Sequence, residues 1–569
     1  MKNQHTLFKV QPFTSVQDML LQSAARFGDK VALEDLKETP ISKVTYAGLL
    51  KNVLKFGAAL EALGLKERSH IAVIGENRVQ WGIAYLTAMC FNHVIVPIDK
   101  NLSANEIINI IHESDSVAVV FSDTFDSLFR DERHSLKRLH YFISMDLLTQ
   151  KDDVHSMAEL INRSRGCSIE DLPSIRPDEL AVIIFTSGTL GRAKGVMLSQ
   201  KNIAANLISM RTFFEILPND RFLSVLPMHH TYECTCGFLC PLSAGASAHY
   251  ARSLKTIVDD LQIVKATMLL AVPLLYDKMF KRIQKSIEEN KTASRLIGPL
   301  KTFSSIAEQL GWKNVRKTLF KEVHHKFGGH IRCFIAGGAA PDPAVAKGLR
   351  ELGFSFIQGY GLTETSPILA LNQLDKFKDD SAGSPLPEVQ LRINNPDADG
   401  IGEIWAKGPN VMLGFYKNDK ATSEVFEDGW FKTGDEGYFD EDGMLHISGR
   451  KKNVIISKSG KNVFPEEIED VLHRSPYVLE SLVYGEKDPK QDEIIAAQIV
   501  VDAEAFVELS ESKGLQITDG LINEVIAKEI RTANDALPAY KQIKKFYIRE
   551  QEFEKTTTQK IKRYLVVQQ

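Results

Sequence analysis

LAVIIFTSGTLGRAKGVMLS, the segment from Leu180 to Ser199, is the most informative part of the sequence. Its apolar run, Ala181 to Phe185, predicts a buried strand that ends in a series of Thr, Ser and Gly. Small residues and hydroxyls after a strand allow backbone N–H groups to point at an anion, and Lys194 adds a charge suited to a phosphate. Ser199 is a natural N-cap and predicts a helix from Gln200 to Phe213. The segment therefore predicts a phosphate-binding loop.

This loop is not a Walker A motif, which requires G-x-x-x-x-G-K-[ST]. Ala193 stands five residues after Gly188, and Gly195 follows the lysine where Ser or Thr is required. A kinase or GTPase hypothesis therefore loses its main support. A plain Gly-Ser turn is the structural alternative, but hydroxyls, glycines and a lysine coincide within about ten residues, which favours phosphate binding.

Upstream of this loop, apolar strand-like runs alternate with helical patterns, which predicts βαβ units and a largely parallel sheet. Thr45 is a predicted N-cap for a helix from Tyr46 to Leu63. The further predicted elements are Ser69–Gly75, Trp81–Phe91, His93–Asp99, Ser116–Ser122 and Met268–Val272.

The second half of the chain has a different pattern. Residues 281–325 are Lys-rich and predict helices on the surface, with a break at Gly298-Pro299. From about Gly400, short strands with turn signals such as Asp428-Gly429 follow. The region from about Lys452 to the end predicts a separate small domain of helices and strands.

Composition limits the class of protein. The 569 residues are 44% apolar and 25% charged, which is typical of a soluble globular protein, and the net charge of −4 argues against nucleic-acid binding. The N-terminus lacks the apolar run of a signal peptide, and Ala266 to Tyr276 is about half of the length that a bilayer span needs. We expect a cytoplasmic protein, with a peripheral contact to the inner face of the membrane and a homodimer left open.

The six cysteines form no C-x-x-C pair, and no histidine spacing completes a zinc site. Buried reduced thiols are expected. A redox or metal role for Cys234, Cys236 and Cys240 is the alternative.

Further motifs follow in order along the chain. They are LPMHHTYE (Leu226–Glu233), AGGAAP (Ala336–Pro341), QGYGLTETSP (Gln358–Pro367), WFKTGDEGYFDEDGMLHISGRKKNVI (Trp430–Ile455) and EKTTTQKIKRY (Glu554–Tyr564). Tyr360 can stack on a base, Glu364 can hold Mg²⁺, and Asp435 can accept two ribose hydroxyls.

FTSGTLGRAKGV and these motifs resemble the adenylate-forming superfamily of acyl-CoA synthetases, peptide-synthetase adenylation domains and firefly luciferase. Leu190 and Ala193 depart from the usual form, where a small hydroxyl residue and a proline are typical, and Gln559 replaces the usual glycine before the catalytic lysine. The resemblance runs from Leu180 to Tyr564.

The resemblance implies an α/β fold. Residues 1–451 would form a large AMP-binding domain of parallel and mixed sheets flanked by helices, with a small β-barrel-like subdomain. Residues 452–569 would form a small mobile α+β domain. Lys452 would be the hinge, and Ser459 to Pro465 would face the active site in the second half-reaction.

The resemblance also assigns site residues. Lys560 (with Lys562 as runner-up), Glu364 and His230 would be catalytic, and His229 is a weaker candidate. Thr186 and Glu364 would hold Mg²⁺. The ATP-binding residues would be Thr186, Ser187, Gly188, Thr189, Lys194, Gly338, Tyr360, Gly361, Thr363, Asp435, Arg450 and Lys452.

The predicted activity is ATP- and Mg²⁺-dependent acyl-adenylate formation followed by acyl transfer to coenzyme A. The helical segment 281–325 and the form of LPMHHTYE are similar to long-chain fatty acyl-CoA synthetases. The alternatives are an acyl-acyl-carrier-protein synthetase, a fatty acyl-AMP ligase, a luciferase-like oxygenase and a non-catalytic nucleotide-binding regulator.

Overall fold

The computed structural model describes residues 6–38, 41–186, 193–289, 291–312, 314–456, 462–487, 493–556 and 560–566. Contacts within the chain divide it into two compact units. The first unit comprises Met1–Leu391 and Ala406–Phe431, and the second comprises Arg392–Trp405 and Lys432–Gln569. The domain boundary predicted at Lys452 stays a prediction. In the ranges given above, no helix is both long and apolar enough to cross a membrane.

The α-helices of the described residues are, in chain order, α1 (Val16–Phe27), α2 (Tyr46–Leu63), α3 (Val79–Cys90), α4 (Ala104–Glu113), α5 (Asp126–Asp131), α6 (Met157–Arg163), α7 (Gln200–Phe213), α8 (Cys240–Ala244), α9 (Ile257–Val264), α10 (Pro273–Glu289), α11 (Lys291–Gln309), α12 (Val315–Leu319), α13 (Lys321–Lys326), α14 (Pro343–Glu351), α15 (Asp419–Val425), α16 (Pro465–Leu472), α17 (Ala503–Lys513) and α18 (Asp519–Asp535).

The strands are, in chain order, β1 (Val31–Asp35), β2 (Ser42–Thr45), β3 (His70–Ile74), β4 (Val94–Pro97), β5 (Ala118–Phe121), β6 (Tyr141–Ser144), β7 (Val154–Ser156), β8 (Leu180–Thr186), β9 (Lys194–Ser199), β10 (Arg221–Ser224), β11 (Ser247–Tyr250), β12 (Met268–Ala271), β13 (Cys333–Ala336), β14 (Phe356–Gly361), β15 (Ile368–Leu371), β16 (Ser384–Pro385), β17 (Gln390–Asn394), β18 (Gly402–Lys407), β19 (Gly414–Phe415), β20 (Phe426–Glu427), β21 (Trp430–Phe439), β22 (Leu445–Arg450), β23 (Ile455–Ile456), β24 (Asn462–Val463), β25 (Val478–Lys487), β26 (Glu493–Val501) and β27 (Lys545–Arg549).

Two large mixed sheets form the first unit. The nine-stranded sheet has the order β16-β15-β14-β13-β12-β10-β11-β1-β2, and the eight-stranded sheet has the order β19-β9-β8-β4-β3-β5-β6-β7. The central strands of both sheets are parallel, whereas β2, β9, β15, β16 and β19 pair antiparallel with their neighbours. The alternation of strands and helices in the sequence therefore predicted the βαβ architecture correctly.

One hydrophobic core contains residues of both large sheets, such as Leu33 of β1 and Val73 of β3. Helix α3 contributes to this core and is buried at every position except Gln80. Its Trp81 stacks on Tyr85 with ring centroids 5.5 Å apart. Because all sides of α3 are covered, its sequence shows a continuous apolar run rather than a stripe on one face.

Smaller sheets follow in the second half of the chain. A five-stranded sheet has the order β17-β18-β21-β20, with β22 on β21, in the region where the sequence predicts short strands. Asp428 and Gly429, both with positive φ, join β20 to β21 as predicted. The C-terminal region contains the sheets β23-β24 and β25-β26-β27 and has its own hydrophobic core.

Capping residues fix the helix starts that the sequence predicted. The Thr45 side chain accepts a hydrogen bond from Gly48 N, and the Ser199 side chain accepts one from Asn202 N. The observed bounds of α2 and α7 therefore coincide with the predicted ones.

The break predicted at Gly298-Pro299 is wrong, because α11 continues through Pro299. A proline inside a helix removes one backbone hydrogen bond. Ile297 and Leu300, on either side of it, pack against the core, and Ser304 one turn further on is fully buried. This packing holds the helical course across the proline.

Candidate active site

The first group of predicted site residues lies at the carboxyl ends of β12, β13 and β14. These strands are parallel neighbours, so their carboxyl ends open onto one edge of the sheet, where ligands of such sheets bind. Gly337 and Gly338 follow β13 there. Gly338 has φ +86°, which favours glycine. A Cβ on Gly337 would lie 2.7 Å from Tyr232 Cζ, so only glycine leaves room for that ring.

Thr186 and Lys194 are direct partners where β8 ends and β9 begins. The Thr186 hydroxyl donates a hydrogen bond to Lys194 O over 3.4 Å. Lys194 is half-buried, and its Nζ lies 4.9 Å from the ring centroid of Phe415. Strand β9 was missed in the sequence, which predicted a loop up to Ser199. Ser187, Gly188 and Thr189 lie outside the described residues, so their phosphate role stays a prediction.

Tyr360 and Gly361 end β14, and the turn that follows carries Thr363 and Glu364; all four residues are half-buried. A Cβ on Gly361 would lie 1.9 Å from Pro367 O, so the two backbone segments approach too closely for any other residue. Glycine at this position therefore sets the path of the chain that presents Thr363 and Glu364.

Residues 412 and 413 connect this turn to β9, the strand that begins with Lys194. Met412 N donates to Glu364 O over 2.8 Å, and Leu413 N donates to Met197 O over 2.9 Å. Met197 belongs to β9, three residues after Lys194. The backbone of the chain thus fixes Glu364 relative to the strand of Lys194.

The LPMHHTYE segment joins the same group. The Thr231 hydroxyl donates to Thr363 Oγ1 over 3.4 Å, and the Tyr232 hydroxyl donates to Ile335 O over 3.1 Å. Tyr232 begins a π-helix that ends at Leu239, a type often found at functional sites. Three motifs that are distant in sequence therefore meet.

The two histidines of this segment differ. His230 is half-buried, and its ring centroid is 5.2 Å from that of His229. Burial and, as a smaller cause, the charge of Lys100 lower the pKa of His229 to about 3. His229 is therefore neutral at pH 7. His230 stays the better candidate of the two.

Asn77 is a supporting residue that the sequence gave no reason to select. Its Nδ2 donates to Leu226 O over 2.6 Å, and Met228 N donates to its Oδ1 over 3.0 Å. Asn77 thereby holds the start of the histidine segment in place. We call this whole group in the first unit the N-terminal cluster; it comprises Thr186, Lys194, His230, Gly338, Tyr360, Gly361, Thr363 and Glu364.

The second unit contains the other predicted residues. Asp435 and Arg450 are direct partners on the antiparallel strands β21 and β22. Arg450 Nε lies 2.8 Å from Asp435 Oδ1, and Asp435 is buried. Lys452 is exposed in the single 3₁₀ turn that follows β22.

Lys560 is exposed in a short antiparallel pairing near the C-terminus. Its backbone N–H donates to Thr556 Oγ1 over 3.2 Å, and Thr556 N donates to Lys560 O over 2.7 Å. Lys562, the runner-up, has its Nζ 3.8 Å from Glu554. The C-terminal cluster comprises Asp435, Arg450, Lys452 and Lys560.

Arg563 attaches this C-terminal segment to the rest of the second unit. Its Nη1 donates to Val483 O over 3.0 Å, and its Nη2 forms an ion pair with Glu469 of α16. Burial raises the pKa of Glu469 to about 8, although the charge of Arg563 opposes this. The sequence did not single out either residue, because the pair joins positions 94 residues apart.

The residues present fit a magnesium ion only in part. Within the described ranges, no group of three or more His, Cys, Asp or Glu could hold a metal. Mg²⁺, however, commonly takes one or two protein oxygens and completes its shell with phosphate and water. The carboxylate of Glu364 and the hydroxyl of Thr186 suit that mode of binding.

A two-sheet α/β body with glycine-lined turns, a half-buried lysine and a buried Asp–Arg pair is typical of a nucleotide-binding enzyme. The family model described as AMP-binding enzyme matches residues 20–416, and the model of the AMP-binding enzyme C-terminal domain matches residues 467–560. The chain therefore belongs to the AMP-binding enzyme family, and the predicted adenylate-forming superfamily is confirmed.

Curated relatives resemble almost the whole chain. It is 28% identical over 605 residues to the long-chain-fatty-acid–CoA ligase FadD15 of Mycobacterium bovis. This alignment covers 99% of this chain and 96% of the relative. It is 29% identical over 545 residues to the long-chain-fatty-acid–[acyl-carrier-protein] ligase AEE15 of Arabidopsis thaliana. This alignment covers 83% of this chain and 75% of the relative.

Solved structures confirm the fold class. The anthranilate CoA ligase AuaEII in complex with anthranoyl-AMP has a TM-score of 0.79 at 18% identity, covering 98% of both chains. ATP-bound MatB from Rhodopseudomonas palustris has a TM-score of 0.76 at 24% identity, covering 97% of this chain and 98% of the other. At these identities the likeness concerns the fold alone.

Proposed function

We propose that this enzyme is an ATP-dependent acid–thiol ligase that converts a long-chain fatty acid to its acyl-adenylate and transfers the acyl group to coenzyme A. In the first step, a carboxylate oxygen attacks the α-phosphorus of ATP, and the bond to pyrophosphate breaks. In the second step, the thiol sulfur attacks the acyl carbonyl, and AMP leaves. The proposal rests above all on the N-terminal cluster, where the backbone of residues 412 and 413 links Glu364 to the strand of Lys194.

In such a reaction the protein forms no covalent bond with the reactants. Its residues orient the reactants and neutralise charge, and good orientation alone can supply roughly 7–11 kcal/mol of the barrier. We propose that Lys194 and Thr363 bind the ATP phosphates, with one Mg²⁺ on Glu364 and Thr186. Gly338, Tyr360 and Gly361 would bind the adenine, and His230 would border the acyl group.

We propose that the C-terminal cluster has two tasks. The carboxylate of Asp435 accepts the ribose hydroxyls, with Arg450 beside it. The ammonium group of Lys560 offsets the repulsion between the substrate carboxylate and the α-phosphate. Lys452 acts as a hinge, so that Lys560 takes part in adenylation only. A cytoplasmic location stays a prediction.

The acyl acceptor has one specific alternative. AEE15, a relative that covers 83% of this chain, is named as a ligase acting on acyl-carrier protein. FadD15 and others are named as CoA ligases. Thioester formation should be measured with CoA and with acyl-carrier protein in parallel. A higher kcat/KM with the carrier protein would replace CoA in the proposal.

The central experiment measures pyrophosphate release with acids of increasing chain length, with and without CoA. We expect AMP and pyrophosphate as products, with the highest kcat/KM for long chains. ADP and orthophosphate as products, or no ATP cleavage with any acid, would refute the ligase itself. Preference for short or aromatic acids would refute only the long-chain assignment.

The assignment of Lys560 has its own test. Lys560→Ala should lose adenylation by at least about 100-fold, because the charge that offsets two anions is gone. The same variant should still convert supplied acyl-adenylate and CoA to thioester. Lys562→Ala is the matched control and should retain both half-reactions. If Lys562→Ala loses adenylation instead, the catalytic lysine is Lys562.

A further inference from the structure

The helical segment Pro273–Lys326, formed by α10 to α13, differs in charge from the rest of the chain. It contains 12 Lys and Arg against 5 Asp and Glu, a net charge of +7 in a chain whose net charge is −4. The remainder of the chain is therefore acidic. A local excess of positive charge on an acidic protein indicates a surface for an anionic partner.

Helix α10 displays part of this charge on its outer face. Tyr276, Met279 and Ile283 are buried and pack into the core. The exposed basic residues recur at spacings of three and four and thus lie on the opposite face; they are Lys278, Lys281, Arg282 and Lys285.

Helix α11 displays a second, apolar feature. One stripe of the helix, including Leu300 and Ala307, packs inward. Beside it runs an exposed stripe at heptad spacing, with exposed fractions from 50% to 74%; it consists of Leu296, Phe303, Ile306 and Leu310. Trp312, which follows the helix, is 60% exposed. Single exposed apolar residues are ordinary, but a contiguous row of large ones marks an interaction site.

We propose that the outer surface of α10 and α11 docks on an anionic lipid bilayer. Helices α10 and α11 pack against each other, and basic side chains combined with exposed Leu, Ile, Phe and Trp are typical of helices that lie at a membrane surface. The apolar row would enter the headgroup region, while the lysines and Arg282 bind lipid phosphates. Helices α10 and α11 carry none of the proposed site residues, so this surface adds a membrane contact to the proposed activity.

Other occupants fit less well. Nucleic acid would use the positive charge but would not cover a row of Leu, Ile and Phe side chains. A second copy of this chain, packed face to face, would bring like charges of α10 together. A bilayer containing anionic lipid satisfies the charge and the apolar row at once.

Flotation of the full chain with vesicles tests the proposal. One set of vesicles contains phosphatidylcholine alone, and the other contains phosphatidylcholine with phosphatidylglycerol. The protein should float with the anionic vesicles at low salt and dissociate as salt rises, because screening weakens the attraction. Failure to bind the anionic vesicles at low salt overturns the proposal.

Two surface variants locate the contact. The triple variant Lys278→Glu, Lys281→Glu and Arg282→Glu should bind anionic vesicles at least about 100-fold more weakly. The triple variant Phe303→Ser, Ile306→Ser and Leu310→Ser should bind these vesicles more weakly by a similar factor. All six side chains are exposed, so we expect unchanged melting temperatures. Wild-type binding by either variant overturns the proposal.

The matched control is the double variant Leu148→Ser and Leu254→Ser, which removes exposed leucines elsewhere on the first unit. It should bind vesicles as the wild type does, and equal loss of binding in this control overturns the proposal. Light scattering after gel filtration measures the oligomeric state and so tests whether a second copy of the chain binds this surface instead. A dimer that the Phe303, Ile306 and Leu310 substitutions convert to a monomer would make this face a self-association surface instead.

Trp312 provides a direct readout of insertion. Brominated lipids should quench the fluorescence of Trp312. Trp81 and Trp405 are buried, and the half-buried Trp430 lies on β21, outside the proposed surface, so we expect no quenching of these three. In Trp312→Phe the quenched fraction should disappear. Quenching that persists in this variant would place the membrane contact elsewhere and overturn the proposal.

Discussion

The side-chain carboxyl of Glu233 occupies the space beside Gly237, where an added Cβ would lie 2.4 Å from Glu233 Oε1. Both residues belong to the π-helix that follows His230. Glu233 is fully covered, and burial raises its pKa to about 8. A neutral carboxyl therefore lies three residues after His230 in the chain.

This raised pKa makes stability depend on pH. From pH 4.5, the ordinary value, to about 8, the folded chain keeps a proton on Glu233 that the unfolded chain releases. The contribution of this group to stability is thus complete in acid and falls by about 1.4 kcal/mol per pH unit as the pH rises through that window. Glu233→Gln keeps the shape of the neutral acid but cannot ionise, so its stability should not fall with pH through this group.

We therefore expect Glu233→Gln to gain stability over the wild type progressively from pH 5 to pH 8, measured as the difference in melting temperature. The control is Glu504→Gln, which changes an exposed glutamate and should give a difference independent of pH. A Glu233→Gln difference that is constant across this range would show that the carboxyl is ionised in the folded state.

Gly361 gives a test of the turn that carries Thr363 and Glu364. Gly361→Ala places a Cβ 1.9 Å from Pro367 O, so the backbone must shift. A displacement of about 1 Å in positioning residues costs roughly 100-fold in rate, and we expect at least this loss of pyrophosphate release.

The control for this change is Gly298→Ala in α11, where an added Cβ meets nothing within 4 Å. It should retain full activity and stabilise the helix by up to about 1 kcal/mol. Activity of Gly361→Ala near that of Gly298→Ala would remove the turn from the proposed site.

Local chemistry explains which parts of the structure were predictable from sequence. The starts of α2 and α7 follow from Thr45 and Ser199, because a cap bonds to an N–H only three residues away. The hairpin turn at Asp428-Gly429 is likewise fixed by its own two residues. The motifs around Lys194, Glu364, Asp435 and Lys560 sufficed to identify the family.

Long-range packing explains the features that the sequence did not predict. The course of α11 through Pro299 depends on core residues that the helix meets only in the fold. Strand β9 was missed because its partner, β8, precedes a glycine-rich segment that suggests a loop alone. Asn77 is 149 residues from Leu226, to which it bonds, and no sequence pattern marks such a pair.

Asp435 allows a test of nucleotide binding. Asp435→Asn keeps the size of the side chain but removes the charge that pairs with Arg450. Hydrogen bonds to charged groups are worth about 1.5–3 kcal/mol, so we expect the KM for ATP to rise roughly 10- to 100-fold. The KM for the fatty acid should change little, and initial rates at varied ATP measure both.

The control for this change is Asp428→Asn, which alters an exposed aspartate in the turn before β21, where asparagine also tolerates positive φ. It should leave the KM for ATP unchanged. An Asp435→Asn variant with the same KM as this control would exclude the ribose contact.

Arg563 and Glu469 allow a test of how the C-terminal segment supports Lys560. Arg563→Met removes the cation that opposes the raised pKa of the buried Glu469 carboxyl. A raised carboxyl pKa means that stability falls as pH rises, and without Arg563 this fall should continue to higher pH. We expect a loss on the order of 3 kcal/mol above pH 8, where the unpaired carboxyl must ionise or stay protonated at a cost. Thermal melting at pH 6 and pH 9 measures it.

The double variant Arg563→Met with Glu469→Gln separates charge from position. Because glutamine carries no charge, the double variant should recover most of the stability at pH 9. The bond from Arg563 to Val483 O remains absent, so adenylation should stay about 10-fold or more below wild type while thioester formation from supplied adenylate is kept. If restored stability brings back full adenylation, Arg563 serves folding alone and the position of Lys560 is set by other contacts, such as those of Thr556.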